Sequence, residues 1–270
     1  MSAPLTVVLT RPRQQAGDWL TRLAALGVNA VSLPLIEIVP GSPQAATDAW
    51  QRLPDAALAM FVSPNAVANF FAGKTDVWPE GTLAACVGPG SARALQRAGV
   101  PPHLIVQPPA DADSLDSEHL WPLLANRDWQ GRLALILRGD GGRDWLAERL
   151  REQGARTLDF SVYQRRCPVL DAAEQGLLAD IVAPADVARF VWLFSSAEAI
   201  GNLASLIEAD WSRQRAIATH ARIAERARQL GLGDVVLARP AAAAVAAAAV
   251  AMQGATYNQF HCERPRNFPP

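Results

Sequence analysis

Short apolar or β-branched runs alternate with helix-like patterns along almost the whole chain, and this alternation restricts the fold more than any other feature. Leu5–Thr10 precedes Gln15–Leu26, Ala57–Ser63 precedes Ala66–Phe71, Leu83–Gly88 precedes Ser91–Ala98, and Leu133–Arg138 precedes Asp144–Gln153. The order continues with Val187–Ser196 and a helix after it, Arg215–Thr219 with Ala221–Leu230, and Val235–Ala238 with an alanine-rich helix. Parallel strands must be joined by crossovers, so strand-then-helix order implies parallel sheets covered by helices on both faces, an α/β fold. At 270 residues the chain is long for one core, and a prior of roughly 100–200 residues per domain points to two.

The two halves echo one another. Arg11, Leu23 and Gly27 recur as Arg138, Leu150 and Gly154, each displaced by 127 positions, and Phe61–Asn69 matches Phe194–Asn202 at a displacement of 133. A weaker pair sets Gly88–Gly99 against His220–Gly231. Displacements this large suggest two related lobes, because a solenoid would repeat every 20 to 50 residues or so; general reuse of such units in α/β proteins is the alternative. Val31–Pro40, with Pro34 and Pro40 inside a strand-like run, and the alternating run Thr157–Pro168 interrupt the helical covering. Extended, proline-marked strands suit connections between domains. They are read as a paired linker of residues 36–40 and 157–168. The first lobe is then discontinuous, residues 1–35 and 169–254, and residues 41–156 form the second. The polar, proline-containing stretch 255–270 is expected to be a disordered tail.

Composition removes several functions. Half of the residues are hydrophobic and 19% are charged, so widespread disorder is excluded. A net charge of −1 argues against a nucleic-acid partner, which would require a basic face to displace counterions from phosphates. Lys74 is the only lysine, which speaks against Schiff-base chemistry. Cys86, Cys167 and Cys262 form neither a disulfide framework nor a metal knuckle, and the histidines do not cluster, so no metal is expected. Met1–Thr10 lacks a basic start before a long apolar run, and Ala241–Met252 is too short and too weakly hydrophobic to span a bilayer. A cytoplasmic protein with no membrane partner is expected.

In open parallel sheets, ligands bind beyond the carboxyl ends of the strands, where helix N-termini offer unpaired N–H groups. Those places read Thr10-Arg11-Pro12, Ser63-Pro64-Asn65, Gly88-Pro89-Gly90-Ser91, Arg138-Gly139-Asp140-Gly141-Gly142, Ser195-Ser196-Ala197 and Thr219-His220-Ala221. Small hydroxyls, glycines, amides and arginines are what a site gripping carboxylates or phosphates uses; for any one of them plain helix N-capping is the competing explanation. Gly88-Pro89-Gly90 lacks the third glycine of a dinucleotide fingerprint, and Arg138–Arg143 lacks the Lys-Ser/Thr of a phosphate loop, so nucleotide cofactors are disfavoured. His220 is the one histidine at a strand end and reads as a packing or hydrogen-bonding residue more than as a base. Tyr163, one of two tyrosines, lies on the proposed linker. It is either a proton donor facing the gap between lobes or an aromatic packed for its ring.

Taken together, Leu9-Thr10-Arg11-Pro12 with Gln15-Ala16, Leu33–Ile38, Phe61–Phe71, Val87–Gly99, Leu137-Arg138-Gly139 with Gly142-Arg143, Val162-Tyr163-Gln164-Arg165, Phe194–Leu203 and Thr219–Gly231 resemble the uroporphyrinogen-III synthase family. The resemblance implies two Rossmann-like α/β lobes joined by a two-stranded antiparallel linker, no cofactor, a monomer, and a substrate, hydroxymethylbilane, held in the cleft. It implies loss of water from that linear tetrapyrrole and closure with ring D inverted through a spiro intermediate. Carboxylates of the substrate would be bound by hydroxyls of Ser63, Ser91, Ser196 and Thr219, by backbone N–H groups near Asn65, Ser91, Ala197 and His220, and by Arg138, with Arg11, Gly88 and Gly139 on the same edges. Tyr163 would be the acid that assists water loss. Two departures stand out: the family often has threonine where Ser63, Ser91 and Ser195 stand, and a proline commonly follows the position of His220, where this chain has Ala221. A noncatalytic two-lobed module that closes on a small anion is the alternative from another class, and a two-lobed glycosyl transferase a further one.

Overall fold

The computed structural model describes residues 4–72, 76–109, 116–141 and 143–262, the last nine by their backbone only. Lys74, Gly142 and the expected tail beyond 262 lie outside the described residues. In chain order the elements are β1 (Thr6–Leu9), α1 (Arg13–Ala25), β2 (Asn29–Ser32), β3 (Glu37–Pro40), α2 (Pro43–Arg52), β4 (Ala56–Phe61), α3 (Pro64–Phe70), β5 (Leu83–Cys86), α4 (Pro89–Arg97), β6 (Ile105–Val106), α5 (Ser117–Leu120), β7 (Leu133–Gly139), α6 (Trp145–Glu152), β8 (Arg156–Arg166), α7 (Ala172–Val182), β9 (Phe190–Phe194), α8 (Ala197–Leu206), β10 (Arg215–Ala218), α9 (Ala221–Leu230), β11 (Asp234–Leu237) and α10 (Ala242–Cys262). The chain divides into two compact units, one made of residues 1–37 and 166–270 and the other of Ile38–Arg165.

The first unit holds a sheet in the order β11-β10-β9-β1-β2, parallel throughout. β9, Phe-Val-Trp-Leu-Phe, is buried along its whole length, as a strand covered on both faces must be. Val7, Leu9, Val191, Leu193 and Ile217 pack against Leu23 of α1 and Val245, Ala249 and Met252 of α10. Behind the sheet α8 and α9 lie on β9 and β10, where Trp192 stacks on Phe194 and donates its indole N–H to Gln214 at 3.0 Å. α7 is closed by a capping box between Asp171 and Glu174, and the Glu174 carboxylate also meets the Arg13 guanidinium at 2.7 Å. α10 continues to Cys262, so the expected disorder from 255 onward does not describe residues 255–262. No proline interrupts that stretch before Pro265, and the alanines ahead of it are strong helix formers.

The second unit holds the order β3-β8-β7-β4-β5-β6, with β8 to β6 parallel. The side chains of β7 alternate between two cores. Leu133, Leu135 and Leu137 face α2, α3 and α4 together with Phe61, Phe70 and Leu95, whereas Ala134 and Ile136 face α5 and α6 together with Leu120, Leu146 and Leu150. The two stretches expected as a linker are, in the structure, β3 and β8. β8 carries seven register partners on β7 and has β3 on its other side, so the two stretches lie side by side at one end of the second sheet, with β3 at the edge.

The matched segments of the two halves occupy matched places. β1, β9 and β10 correspond in sequence to β7, β4 and β5, and the order β11-β10-β9-β1-β2 maps onto β6-β5-β4-β7-β8 strand for strand. The helices after β1 and β7 both end at a left-handed glycine, Gly27 at φ 72° and Gly154 at φ 86°, a conformation that would strain any residue with a Cβ.

Leu135 is fully buried at the centre of β7, whereas Leu158, its partner on β8, is exposed. Leu135→Ala is expected to lower unfolding stability by about 2–5 kcal/mol, and Leu158→Ala to remain within about 1 kcal/mol of wild type, read from urea denaturation midpoints.

Candidate active site

Parallel pairing puts every carboxyl end of a sheet on one edge, and a crevice opens where neighbouring connections leave in opposite directions. That point lies between β4 and β7 in the second unit and between β1 and β9 in the first. The second unit has a cavity of about 290 Å³ there, bounded by Met60 and Val62 at the end of β4, Val87 after β5, Arg138 and Gly139 at the end of β7 with Asp140 and Gly141 after it, and Tyr163 and Arg165 on β8. Asp116, Ser117 and Arg143 complete its rim.

Tyr163 is 1% exposed and belongs to the core cluster of this unit, so it does not stand on an open linker surface. Its ring lies on the backbone of Gly139: a Cβ built there would stand 2.6 Å from Cε2. Its hydroxyl receives a hydrogen bond from Ser63 Oγ at 3.1 Å, and Ser63 Oγ accepts from the N–H of Ala66 at 3.2 Å. Ser63 is therefore both the N-cap of α3 and a donor to the phenol, and the phenolic proton is left to point elsewhere. The Arg165 guanidinium lies 5.9 Å from the centre of the same ring.

Arg138 differs from the sequence expectation. Its guanidinium is mostly covered and already paired, with Asp144 and, at 3.2 Å, with Asp159. Burial pulls its pKa down, but the hydrogen bonds and charges of Asp144 and Asp159 outweigh it and hold the group above the ordinary arginine value. The hydrogen bond from Arg138 in turn holds the Asp144 carboxyl below its ordinary value. Arg143 pairs with Glu118, and Ser161 donates to Asp140 at 2.5 Å. Arg138 and Arg143 are thus each held by carboxylates, and Arg138 offers no unpaired cation to a ligand. Nearby, Ser91 is buried and donates its N–H to Gly88 O at 3.1 Å, while Gly88 serves as the N-cap of α4, so the Ser91 N–H is spent within its own turn. Asn65 stands second in α3, behind Pro64.

In the first unit, Thr10 is buried and donates to Leu193 O at 2.7 Å, which ties β1 to β9. Arg11 is half-buried, with its guanidinium carbon 4.4 Å from the centre of the Trp19 ring and its Nε covered without a hydrogen-bond partner among the described residues. Burial lowers its pKa. Ser196 caps α8 by accepting from Glu198 N–H, and Ala197 opens that helix. Thr219 donates its N–H to Phe194 O, and His220 caps α9 by accepting from Arg222 N–H at Nδ1. His220 is therefore a capping residue in the structure. Parallel neighbours bring the ends of β1, β9 and β10 together on one sheet edge, and those of β7, β4 and β5 on the other. Sequence reasoning did not single out Asp140, Asp144 or Asp159, and aspartates in turns and within a strand carry no pattern that would have flagged them. Gly41 was also passed over, although Pro40-Gly41 is a turn signal.

Two doubly wound parallel-sheet units, each with small hydroxyl residues and an arginine at its switch point, define the class: a two-unit α/β protein with its site at the strand ends. The profile of the family described as uroporphyrinogen-III synthase HemD matches residues 17–247. The chain belongs to the uroporphyrinogen-III synthase family. The uroporphyrinogen-III synthase of Escherichia coli (strain K12) is 31% identical over 247 residues, covering 87% of this chain and 95% of that one. That of Salmonella typhimurium (strain LT2) is 30% identical over 253 residues, with the same coverage of 87% and 95%. Among solved structures, uroporphyrinogen-III synthetase from Helicobacter pylori 26695 aligns with a TM-score of 0.61 at 17% identity over 92% of this chain and 99% of that one. A mutant uroporphyrinogen III synthase from the extremely thermophilic bacterium Thermus thermophilus gives 0.54 at 18% identity, over 96% and 100%. These two support the α/β fold alone. No helix among the described residues is long and apolar enough to cross a membrane.

A carboxylate whose pKa is depressed in the folded state contributes stability above its unfolded value, and that contribution is lost as pH falls through the folded one. The Arg138–Asp144 pair is therefore expected to support folding fully above the ordinary carboxylate value of 3.8 and to lose its contribution below it. Asp144→Asn should lower the denaturation midpoint slightly at pH 7 and converge on wild type in acid, followed by denaturant titrations across that range.

Proposed function

We propose that the chain cyclises hydroxymethylbilane, with loss of water and inversion of ring D, to uroporphyrinogen III, and that Tyr163 is the acid of the water-loss step. The observation that carries this reading is the phenol itself. Its oxygen already accepts from Ser63 Oγ at 3.1 Å, so its own proton is available to a group in the cavity that Tyr163 lines. Proton transfer from Tyr163 Oη to the terminal hydroxyl breaks the C–O bond, water leaves, and the pyrrole nitrogen stabilises the resulting azafulvene cation. Attack by the substituted carbon of ring D gives the spiro intermediate, which fragments and recloses at the other carbon. The proton lost on rearomatisation returns the phenolate to phenol, so the cycle balances with one water released. Positioned acids of this kind contribute about 10² to 10⁴ in rate.

At about 290 Å³ the cavity is near the lower bound of small-molecule pockets, roughly 300–1,000 Å³, so it suits the reacting end of a linear tetrapyrrole and not its full length. The remaining acetates and propionates are assigned to the strand-end groups: Ser63, Asn65, Gly88, Ser91 through its hydroxyl, Gly139, and Arg138, whose guanidinium a ligand carboxylate would share with Asp144 and Asp159, in the second unit, and Arg11, Ser196, Ala197, Thr219 and His220 in the first. Hydrogen bonds to a charged group contribute about 1.5–3 kcal/mol each, which permits tight binding by a chain with a net charge of −1. Holding a flexible chain so that the disfavoured carbon meets the electrophile is an orientation effect, and such effects reach about 7–11 kcal/mol. A cytoplasmic monomer without cofactor completes the reading.

The test is to supply hydroxymethylbilane and separate type III from type I product by chromatography. Enrichment of type III is expected; type I alone, or binding without turnover, leaves a binding module instead. Tyr163→Phe should reduce turnover about 10² to 10⁴-fold with the fold intact. Ser63→Ala or Thr219→Ala should each cost less, and a complete loss from either would contradict distributed binding.

A further inference from the structure

Tyr163 faces the second unit's core only because β8 is irregular at that point. Side chains on a strand alternate faces, so Val162 and Tyr163 ought to point to opposite sides of the sheet. Both nevertheless sit in the same core cluster. The register explains it: Arg138 is opposite Ser161 but Gly139 is opposite Tyr163, so Val162 is an extra residue, a β-bulge that turns Tyr163 onto the face it would otherwise leave. Two glycines press on this bulge from different elements. A Cβ on Gly41 would stand 2.8 Å from Val162 C and 3.0 Å from Tyr163 N, with Ser161 O closer still, and the Gly41 N–H donates to Val162 O at 3.0 Å. A Cβ on Gly139 would stand 2.6 Å and 2.7 Å from Cε2 and Cζ of the Tyr163 ring and 3.1 Å from its hydroxyl oxygen.

We infer that Gly41 and Gly139 are positioning residues for the Tyr163 phenol: Gly41 fixes the bulged backbone that aims it, and Gly139 supplies the bare backbone on which the ring rests. A methyl at Gly139 meets the far end of a side chain, so the ring yields and the hydroxyl moves by roughly 1 Å, a displacement that in a catalytic group costs on the order of 10²-fold. A methyl at Gly41 meets backbone, so the bulge itself must shift. Only the kinetic part of this inference rests on the assignment of Tyr163 as the acid.

The test uses the full chain labelled with tyrosine carrying ¹³C at Cζ. Its two tyrosines, Tyr163 and Tyr257, give two signals, which Tyr163→Phe assigns. In Gly41→Ala and in Gly139→Ala the Tyr163 signal should move while that of Tyr257 stays. In each, kcat should fall about 10- to 100-fold with KM changed by less than about threefold, the signature of an interaction made in the transition state. In the Tyr163→Phe background either glycine substitution should cost less than about twofold more, because the phenol it acts through is gone. An unmoved Tyr163 signal in a folded variant overturns the inference, as does a kcat loss of equal size in both backgrounds. If Gly139→Ala does not fold, Gly41→Ala decides the question by the same two measurements. Should Tyr163→Phe retain full turnover, the assignment of the acid fails, and the signal alone decides whether the glycines place the ring.

Discussion

The parallel pairing of β4 with β7, and of β1 with β9, sets side by side strands that are remote in sequence, and it sends their carboxyl ends to a common edge. Everything placed at the candidate site depends on that. Ser63 follows β4 and Gly139 ends β7, so pairing of those two strands puts the N-cap of α3 next to the backbone on which the Tyr163 ring lies. The cap and the donor are one hydroxyl: Ser63 Oγ accepts from Ala66 and donates to Tyr163, so stability of the helix start and orientation of the phenol are coupled through a single atom.

Two arginines at this edge are matched by carboxylates before any ligand arrives. Arg138 is held by Asp144 and Asp159, and Arg143 by Glu118, so the arginines that lined up so suggestively in the sequence serve first to fix the loop after β7. An arginine held by two carboxylates keeps its geometry at the cost of its net charge, and a ligand carboxylate would compete with those partners or share the guanidinium with them. Arg11 in the first unit is different in kind: it is stacked on Trp19, partly buried, and its Nε has no hydrogen-bond partner among the described residues.

Strand-helix alternation was sufficient to read the α/β class and most of the strands, because parallel strands buried on both faces, such as Phe190–Phe194 and Leu133–Leu137, read as continuous apolar runs. The echo between halves was also legible and maps onto equal strand orders. β6, two residues long, has no periodicity to detect. The burial of Tyr163 was hidden because alternation along Phe160-Ser161-Val162-Tyr163 predicts the opposite face, and a bulge leaves no mark in residue types. The pairing of Arg138 was hidden for another reason: Asp144 and Asp159 belong to different elements, and nothing in a linear reading brings them to one guanidinium. His220 was visible as a strand-end histidine, but its capping contact with Arg222 depends on backbone geometry.

The insertion of the second unit between β2 and α7 has a bearing on how the chain assembles. The first sheet cannot be completed until β9 has emerged to join β1, whereas every strand of the second sheet lies within residues 37–166. During synthesis from the N-terminus, the inserted unit can therefore condense while its host is still waiting for most of its sequence. Once it has, the contact between Gly41 and Val162 staples the two ends of the insertion together. The segment that must be closed to bring β1 to β9 then shrinks to roughly a third, which relieves about 1 kcal/mol of chain entropy. The glycine that abuts the bulge thereby also acts as a clasp for the nascent chain.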